Sequence, residues 1–439
     1  MASELDQILI SYDQPDFREN LRERRKKSLL EKYQPFGTPE SNQNLNLVRQ
    51  IVWDVAQRGD KAVAEYTKKY DDVDLKPEEF LVSQAALEEA HKKINNDLLK
   101  SICQAIENVK KYQKEILIDK EKTPFGIKYT PIKRVGICVP GASAPLPSTV
   151  IMCAVPAQVA GVEEIVAVSP PKCNDSIHPD ILAVCHELKI DKVYRIGGAQ
   201  AVAALAWGTE TINKVDKIVG PGNWWVQMAK REAFGYVGVD SVAGPSEVLI
   251  IANEKANPAW VAADMLSQVE HTPGLAWLLT NSKKFAAQVL DAINEQIKQL
   301  LRPDEITKSL KEYSAVVIEK NMEKLIENAN DFAAEHLEIQ CGDESRKIAD
   351  QIENAGAIFI GDYSPVAVGD YWAGPSHTLP TGTSAKFFSA LSANDFIKST
   401  SIIEYSKEKL AESADDIIRL AEAEGLDAHA RSVQIRQQK

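Results

Sequence analysis

Lys192 to Asn223 reads KVYRIGGAQAVAALAWGTETINKVDKIVGPGN. The apolar run Lys192 to Ile196 predicts a strand, Gly197-Gly198 a turn and Ala199 to Trp207 a helix. Lys217 to Val219 then predicts a second strand, closed by Gly220-Pro221-Gly222. Largely apolar strands joined by a crossover helix belong in a mostly parallel sheet. Upstream the alternation continues, with strands predicted at Val135 to Val139 and Glu164 to Ser169 and helices at Thr149 to Val159 and Ile181 to Glu187. Each strand runs into a Pro or Gly turn, Pro140-Gly141 and Pro170-Pro171 being the other two. Turns at the carboxyl ends of parallel strands are where such sheets bind ligands.

Outward from this stretch the pattern repeats. Glu247 to Ile251, Leu275 to Thr280, Ser314 to Ile318 and Ala357 to Ile360 predict strands, and Asn257 to Glu270 a helix with Asn257 at its N-cap and Pro258 at its first position. Asp13 to about Lys122 is patterned as helix, with apolar positions at helical spacing in Leu45 to Tyr70 and Ala85 to Tyr112. Beyond Phe388 the chain is more polar and largely helical. The expected fold class is α/β, with two incomplete Rossmann-like domains, a helical N-terminal region and a small C-terminal segment. The expected divisions are 1–125 for the helical region, packing on the third stretch, 126–242 and 243–388 for the two α/β domains, and 389–439 for the C-terminal segment. The usual dinucleotide fingerprint, Gly-x-Gly-x-x-Gly after a strand with an acidic residue about 20 positions on, is missing.

Composition excludes several function classes. The formal charge of -12 and the shortness of the one basic run, Arg22 to Lys27, argue against nucleic acid, which rewards clustered Lys and Arg. No window approaches the ~20 continuous apolar residues that cross a bilayer. Met1 to Ile10 has acidic residues where a signal peptide needs basic and apolar ones, so a cytosolic protein is expected. The six cysteines lack ligand-like spacing, which suits buried thiols better than disulfides or a cysteine-held zinc.

Histidine is scarce, seven in 439 residues, and four of the seven lie in segments that also carry Asp, Glu or Gln. Gln268 and His271 are spaced to leave one helix face together, where oxygen and nitrogen can reach one metal. With Pro273 two residues on, the helix is expected to stop there; capping of a frayed helix end by His271 is the structural alternative. Asp370 and His377 flank the turn-rich Tyr-Trp-Ala-Gly-Pro-Ser. Glu335 and His336 are expected at a helix end, about 100° apart, addressing two sides of a cleft without forming a close pair. A carboxylate and an imidazole so placed can activate water and move protons at neutral pH. His91, His178 and His186 read as structural or solvent-exposed.

Six separated motifs in order, Gly220-Pro-Gly-Asn223, Ala243-Gly-Pro-Ser-Glu-Val248, Gln268-Val-Glu-His271, Glu335-His336-Leu-Glu, Gly369-Asp-Tyr through Thr381, and Glu424-Gly-Leu-Asp-Ala-His429, resemble the histidinol dehydrogenase family. The resemblance covers essentially the whole chain and is weakest across the N-terminal helices. It implies an NAD-dependent enzyme that oxidises an amino alcohol to an acid in two steps on one zinc per subunit, in an intertwined homodimer. Carried over residue by residue, the zinc ligands are Gln268, His271, Asp370 and His429. Substrate contacts are Ser246, His377 and Glu424 besides His336 and the zinc ligands. His336 is the general base and Glu335 activates the water that hydrates the aldehyde. Glu424 and His429 reach into the neighbouring subunit's site. Gln200 and Asn223 match NAD-contacting positions, and Cys138 stands where the family commonly has a cofactor-facing tyrosine.

Other departures are Ser376 for a frequent asparagine and Phe388-Ser-Ala-Leu391 for Ser-Ser-Gly-Leu. Relatives of the family oxidise other primary alcohols, including a sulfonated diol. Glu424 favours a substrate with cationic or donor nitrogens and repels a sulfonate. A zinc hydrolase using Glu335 without nicotinamide is the reading from a different class.

Overall fold

A computed structural model of the chain describes residues 5–28, 39–119, 126–142, 145–271 and 274–437. In chain order the strands are β1 (Leu9–Ser11), β2 (Ile127–Pro131), β3 (Arg134–Cys138), β4 (Glu164–Val168), β5 (Lys192–Tyr194), β6 (Lys217–Val219), β7 (Gly238–Val239), β8 (Glu247–Ala252), β9 (Leu275–Thr280), β10 (Ala315–Ile318), β11 (His336–Gln340), β12 (Ala357–Ile360) and β13 (Ile397–Ser401).

Two compact units are present. The first comprises 1–117 and 131–396, and the second 118–130 and 397–439. The first unit holds two sheets. One is five-stranded in the order β5-β4-β3-β6-β7, the other six-stranded in the order β1-β10-β9-β8-β11-β12. Every strand pairing in both is parallel, as the mixed α/β fold with mostly parallel sheets requires.

The apolar character of the strands follows from their burial. All six positions of β8 and of β9 are buried, because helices cover both faces of a parallel sheet. The helix Pro258–Val269 begins as its sequence dictates, with the Asn257 side chain accepting from Ala259 N. In the first sheet the register pairs Cys138 with Val168 and Val168 with Tyr194, so the strand ends stand side by side and their turns open on one edge.

The N-terminal residues divide their packing. Val48, Ile51, Val52 and Val55, at helical spacing on the helix Pro39–Arg58, are buried with Val202 and Leu205 of the helix Gly198–Trp207 against the first sheet. Residues 5–28 serve the second sheet instead. β1 adds an edge strand on β10, and Phe17 and Leu21 pack on the core that holds Trp277 and Leu337.

The second unit pairs β13 with β2 and carries the helices Lys407–Ala423 and Asp427–Gln437. Gly425, at φ 71°, makes the turn between them in the left-handed region that a glycine occupies without strain.

Candidate active site

The imidazole of His336 sits at the start of β11, between Val248 of β8 and Ala357 of β12, and is 4% exposed. Its placement corrects the expectation of a helix end. All five residues of β11 are buried, and the alternating polar residues of His-Leu-Glu-Ile-Gln are accommodated by hydrogen bonds to one another and to neighbouring elements. The expected separation of Glu335 and His336 is corrected as well: Glu335 Oε2 and His336 Nδ1 stand 3.4 Å apart. Glu335 is held in place by a reciprocal pair of bonds with Glu247: Glu335 N donates to Glu247 Oε1 (3.1 Å) and Glu247 N donates to Glu335 Oε2 (2.8 Å).

His336 Nδ1 lies 3.1 Å from the Glu247 carbonyl oxygen, to which a proton on Nδ1 donates. Nε2 then faces Asp370 Oδ1 at 3.5 Å and, though buried, has no hydrogen-bond partner. Burial opposes a charge on this ring, yet the Glu335 and Asp370 carboxylates outweigh it and hold His336 well above its ordinary range. Asp370 is shifted the other way: burial raises it, and the charges of His336, His377 and His271 more than offset that. His377 is lowered by burial, with Asp370 opposing the shift. One carboxylate therefore lies within electrostatic reach of three imidazoles.

Asp370 belongs to a short helix, Val366–Tyr371, rather than to irregular loop. His377 follows in the turn-rich segment, with Nε2 3.4 Å from Thr149 Oγ1. Ser376 is buried and donates to Met152 O at 3.0 Å. Gln268 is 2% exposed and its Oε1 is buried without a hydrogen-bond partner. An unmet buried oxygen of this kind costs about 1–3 kcal/mol, and a cation would satisfy it. His271 lies just past the helix end, where its N donates to Gln268 O at 3.3 Å; Pro273 lies outside the described residues. Among the described residues no three His, Cys, Asp or Glu side chains stand together as a metal cage. Ser246 is half-buried on the segment entering β8. Glu424 and His429 are exposed residues of the second unit.

Two carboxyls that the sequence reading passed over stand behind the site. Asp264 and Glu338 share a hydrogen bond, and Gln340 Nε2 donates to both, at 2.7 and 3.0 Å. Glu338 Oε1 accepts from Val366 N at 3.0 Å, the first residue of the helix that bears Asp370. Burial raises both carboxyls; Asp264 raises Glu338 further, while the hydrogen bond with Glu338 partly offsets the rise of Asp264. The one signal in the sequence was their helical or strand spacing from Gln268 and His336.

At the edge of the first sheet, Cys138, Gln200 and Asn223 line one cavity of about 440 Å³. Cys138 is 5% exposed, and burial pushes its thiol up to about 12. The Asn223 side-chain oxygen also caps the helix Trp224–Ala233 by accepting from Val226 N, so a structural role coexists with its place in the cavity. Gly220 has φ 106°, and a Cβ there would stand 2.5 Å from the Cys138 carbonyl oxygen. The buried Lys230 pairs with Asp240, and the two secure that turn: Lys230 Nζ donates to Gly220 O (3.0 Å) while Gly220 N donates to Asp240 Oδ2 (2.7 Å). All six cysteines are free thiols, and no described helix is long and apolar enough to cross a membrane.

A family model described as histidinol dehydrogenase matches residues 37–437. The histidinol dehydrogenase of Oceanobacillus iheyensis is 46% identical over 398 residues, covering 89% of this chain and 92% of that protein. That of Clostridium acetobutylicum is 43% identical over 404 residues, covering 90% and 93%. The crystal structure of histidinol dehydrogenase from Elizabethkingia anophelis superposes with a TM-score of 0.87 at 36% identity, covering 97% of each chain.

Proposed function

The chain belongs to the histidinol dehydrogenase family, and on that premise we propose how its own residues oxidise L-histidinol to L-histidine with NAD, the last step of histidine biosynthesis. Neither the sulfonated diol nor the hydrolase alternative is supported by these relatives.

His336 is the general base. The observation that carries this role is the anchoring of Nδ1 by the Glu247 carbonyl, which presents Nε2 as the atom that takes the substrate's hydroxyl proton. A base needs its proton affinity near the working pH, whereas Glu335 and Asp370 together hold His336 high. With Asp370 engaged as a metal ligand, part of that carboxylate support is lost and the ring moves toward the neutral form. Glu335 lies beside the same ring and orients the water that adds to the aldehyde carbon. His336, having given its first proton up to solvent, then takes the proton of the resulting hydrate as the second hydride departs. Two NAD and one water are consumed, and the acid is the product.

We assign zinc to Gln268, His271 and Asp370 of one subunit, with His429 supplied by its neighbour. In support stand the orphaned Gln268 oxygen and a nitrogen and oxygen donor set of the kind zinc accepts. Zinc, when bound, would supply the positive charge that fixes the amino alcohol's polar atoms. Ser246, His377 and Glu424 orient the substrate. Glu424, in the turn between the two helices of the second unit, and His429, on the second of them, are exposed, which suits residues offered to another subunit. NAD occupies the cavity of Cys138, Gln200 and Asn223, where small apolar Cys138 takes the place of a stacking ring. In this reading 126–242 binds NAD, 243–388 carries zinc and base, 389–439 completes the neighbour's site, and 1–125 is scaffold. The free thiols suit a reducing, cytoplasmic setting.

Single-turnover hydride transfer from L-histidinol in His336→Asn, at equal zinc content, tests the base. A loss of about 10²–10⁴-fold is expected, and an unchanged rate would remove His336 from the role.

A further inference from the structure

The five-stranded sheet has the strand order third, second, first, fourth, fifth along one α/β stretch, β5-β4-β3-β6-β7. In doubly wound sheets of this order the carboxylate that accepts the ribose hydroxyl of NAD follows the second strand, and a cation nearby accommodates the extra phosphate of NADP. Here the second strand, β4, is followed by Ser169-Pro170-Pro171-Lys172. The position holds a cation and no acid, and both Pro170 and Lys172 line the cavity assigned to the cofactor. By charge alone that edge is built for a 2′-phosphate.

A carboxylate nonetheless arrives there from elsewhere in the chain. Asp71 ends the helix Asp60–Asp71 and lines the same cavity together with Tyr70. Its Oδ1 lies 3.2 Å from Lys172 Nζ, and its Oδ2 lies 3.5 Å from Gln200 Nε2. The ammonium is engaged further by two carbonyl oxygens of the same helix end, Tyr70 O at 3.2 Å and Asp71 O at 2.9 Å. Three acceptors therefore fill the three donor positions of Lys172. The Asp71 side chain is 10% exposed and that of Lys172 31%, and both residues line the cavity.

We propose that Asp71 sets the choice of NAD over NADP, by holding Lys172 in a saturated pair and presenting the carboxylate edge toward the adenosine ribose. A 2′-phosphate entering the cavity meets a carboxylate it repels and a cation already satisfied. A ribose with free hydroxyls meets an acceptor. The missing acid of the glycine fingerprint is thus supplied by the N-terminal helical region. The inference rests on the assignment of NAD to this cavity.

The test is kcat/KM for NAD and for NADP in wild type, Asp71→Asn and Asp71→Asn/Lys172→Gln, with Gln200→Ala and Asn223→Ala alongside. The ratio of the two cofactors is read within each protein, so a partly folded sample does not distort it; Asp71→Ser replaces Asp71→Asn if the latter gives no folded enzyme. The expected result is a rise of about tenfold or more in the NADP to NAD ratio for Asp71→Asn, equivalent to about 1.4 kcal/mol, with the NADP gain removed again by Lys172→Gln. An unchanged ratio, with Gln200→Ala and Asn223→Ala raising the KM for NAD, overturns the role of Asp71 while leaving the cavity assignment standing. No effect of Gln200→Ala or Asn223→Ala on that KM overturns the cavity assignment, and this inference with it.

Discussion

Asp264 and Glu338 face each other as a hydrogen-bonded carboxyl pair inside the second sheet's edge, and through them three elements of the site are joined. Asp264 stands on the helix that carries Gln268, Glu338 on the strand that begins with His336, and Glu338 accepts the first amide of the helix that carries Asp370. Residues that hold the groups contacting substrate or metal are often as consequential as those groups themselves.

The pair carries a pH signature. Both carboxyls are raised by burial, and Glu338 further by Asp264, so the folded chain binds their protons more tightly than the unfolded chain does. Their effect on stability is most favourable at low pH and is lost progressively as pH climbs from the ordinary carboxyl range through the raised folded values. Glu338→Gln cannot ionise and still offers a donor to Asp264. The difference in melting temperature, variant minus wild type, is therefore expected to grow from pH 5 to pH 8 by about 2 °C or more. A difference independent of pH would show that no proton is shared there.

Glu335 is assigned to the water that adds to the aldehyde, beside a base used in both oxidations. Glu335→Gln is expected to slow oxidation of supplied L-histidinaldehyde about 10²-fold or more and to slow the alcohol half-reaction much less. Equal losses in both half-reactions, measured by NADH formation from each substrate, would contradict the assignment.

Much of the fold was legible in residues and the rest was not, for identifiable reasons. β6, β9 and β12 match their apolar runs residue for residue; for β9 the reason is burial along its whole length, and for β12, a partly exposed edge strand, it is the short apolar run closed by Gly361. β11 escaped because His336, Glu338 and Gln340 alternate with apolar residues, and only contacts with Glu247, Asp264 and Val366 make their burial tolerable. β1 escaped because three residues carry no periodicity of their own; an edge on β10 is what makes them a strand. In the site, His271, His336, Asp370 and His377 were named from their motifs, and in the structure the three imidazoles bear on Asp370 electrostatically. Asp264 and Asp71 were not so named, since each acts through a partner distant in sequence; Lys230 was not, since nothing in its helical spacing marks the turn that it reaches.

Lys230 is fully buried against Asp240. Removing one member of a buried pair leaves the other charge uncompensated, at a cost of about 3–5 kcal/mol. Lys230→Met is expected to lower stability by that order in chemical denaturation, and to raise the KM for NAD because Gly220 loses its anchor. A stability loss with the KM unchanged would detach the pair from the cofactor turn.

The division of the site between subunits has a direct complementation test. His336→Asn and His429→Asn are each expected to be nearly inactive. Refolded together as an equal mixture, half of the dimers are mixed, and each of those carries one intact site and one doubly altered site. Recovery of about a quarter of wild-type turnover is expected. No recovery, with mixed dimers demonstrated, would place His336 and His429 in the same subunit's site.

The account stands most directly on the stoichiometry of the complete reaction. With the enzyme loaded with zinc, L-histidinol consumed to completion is expected to yield two NADH per molecule with L-histidine as product, while a metal-stripped control turns over negligibly until zinc is restored. One NADH per molecule with released aldehyde, or no turnover by the zinc-loaded dimer, would contradict a four-electron oxidation carried through one site by His336 and Glu335.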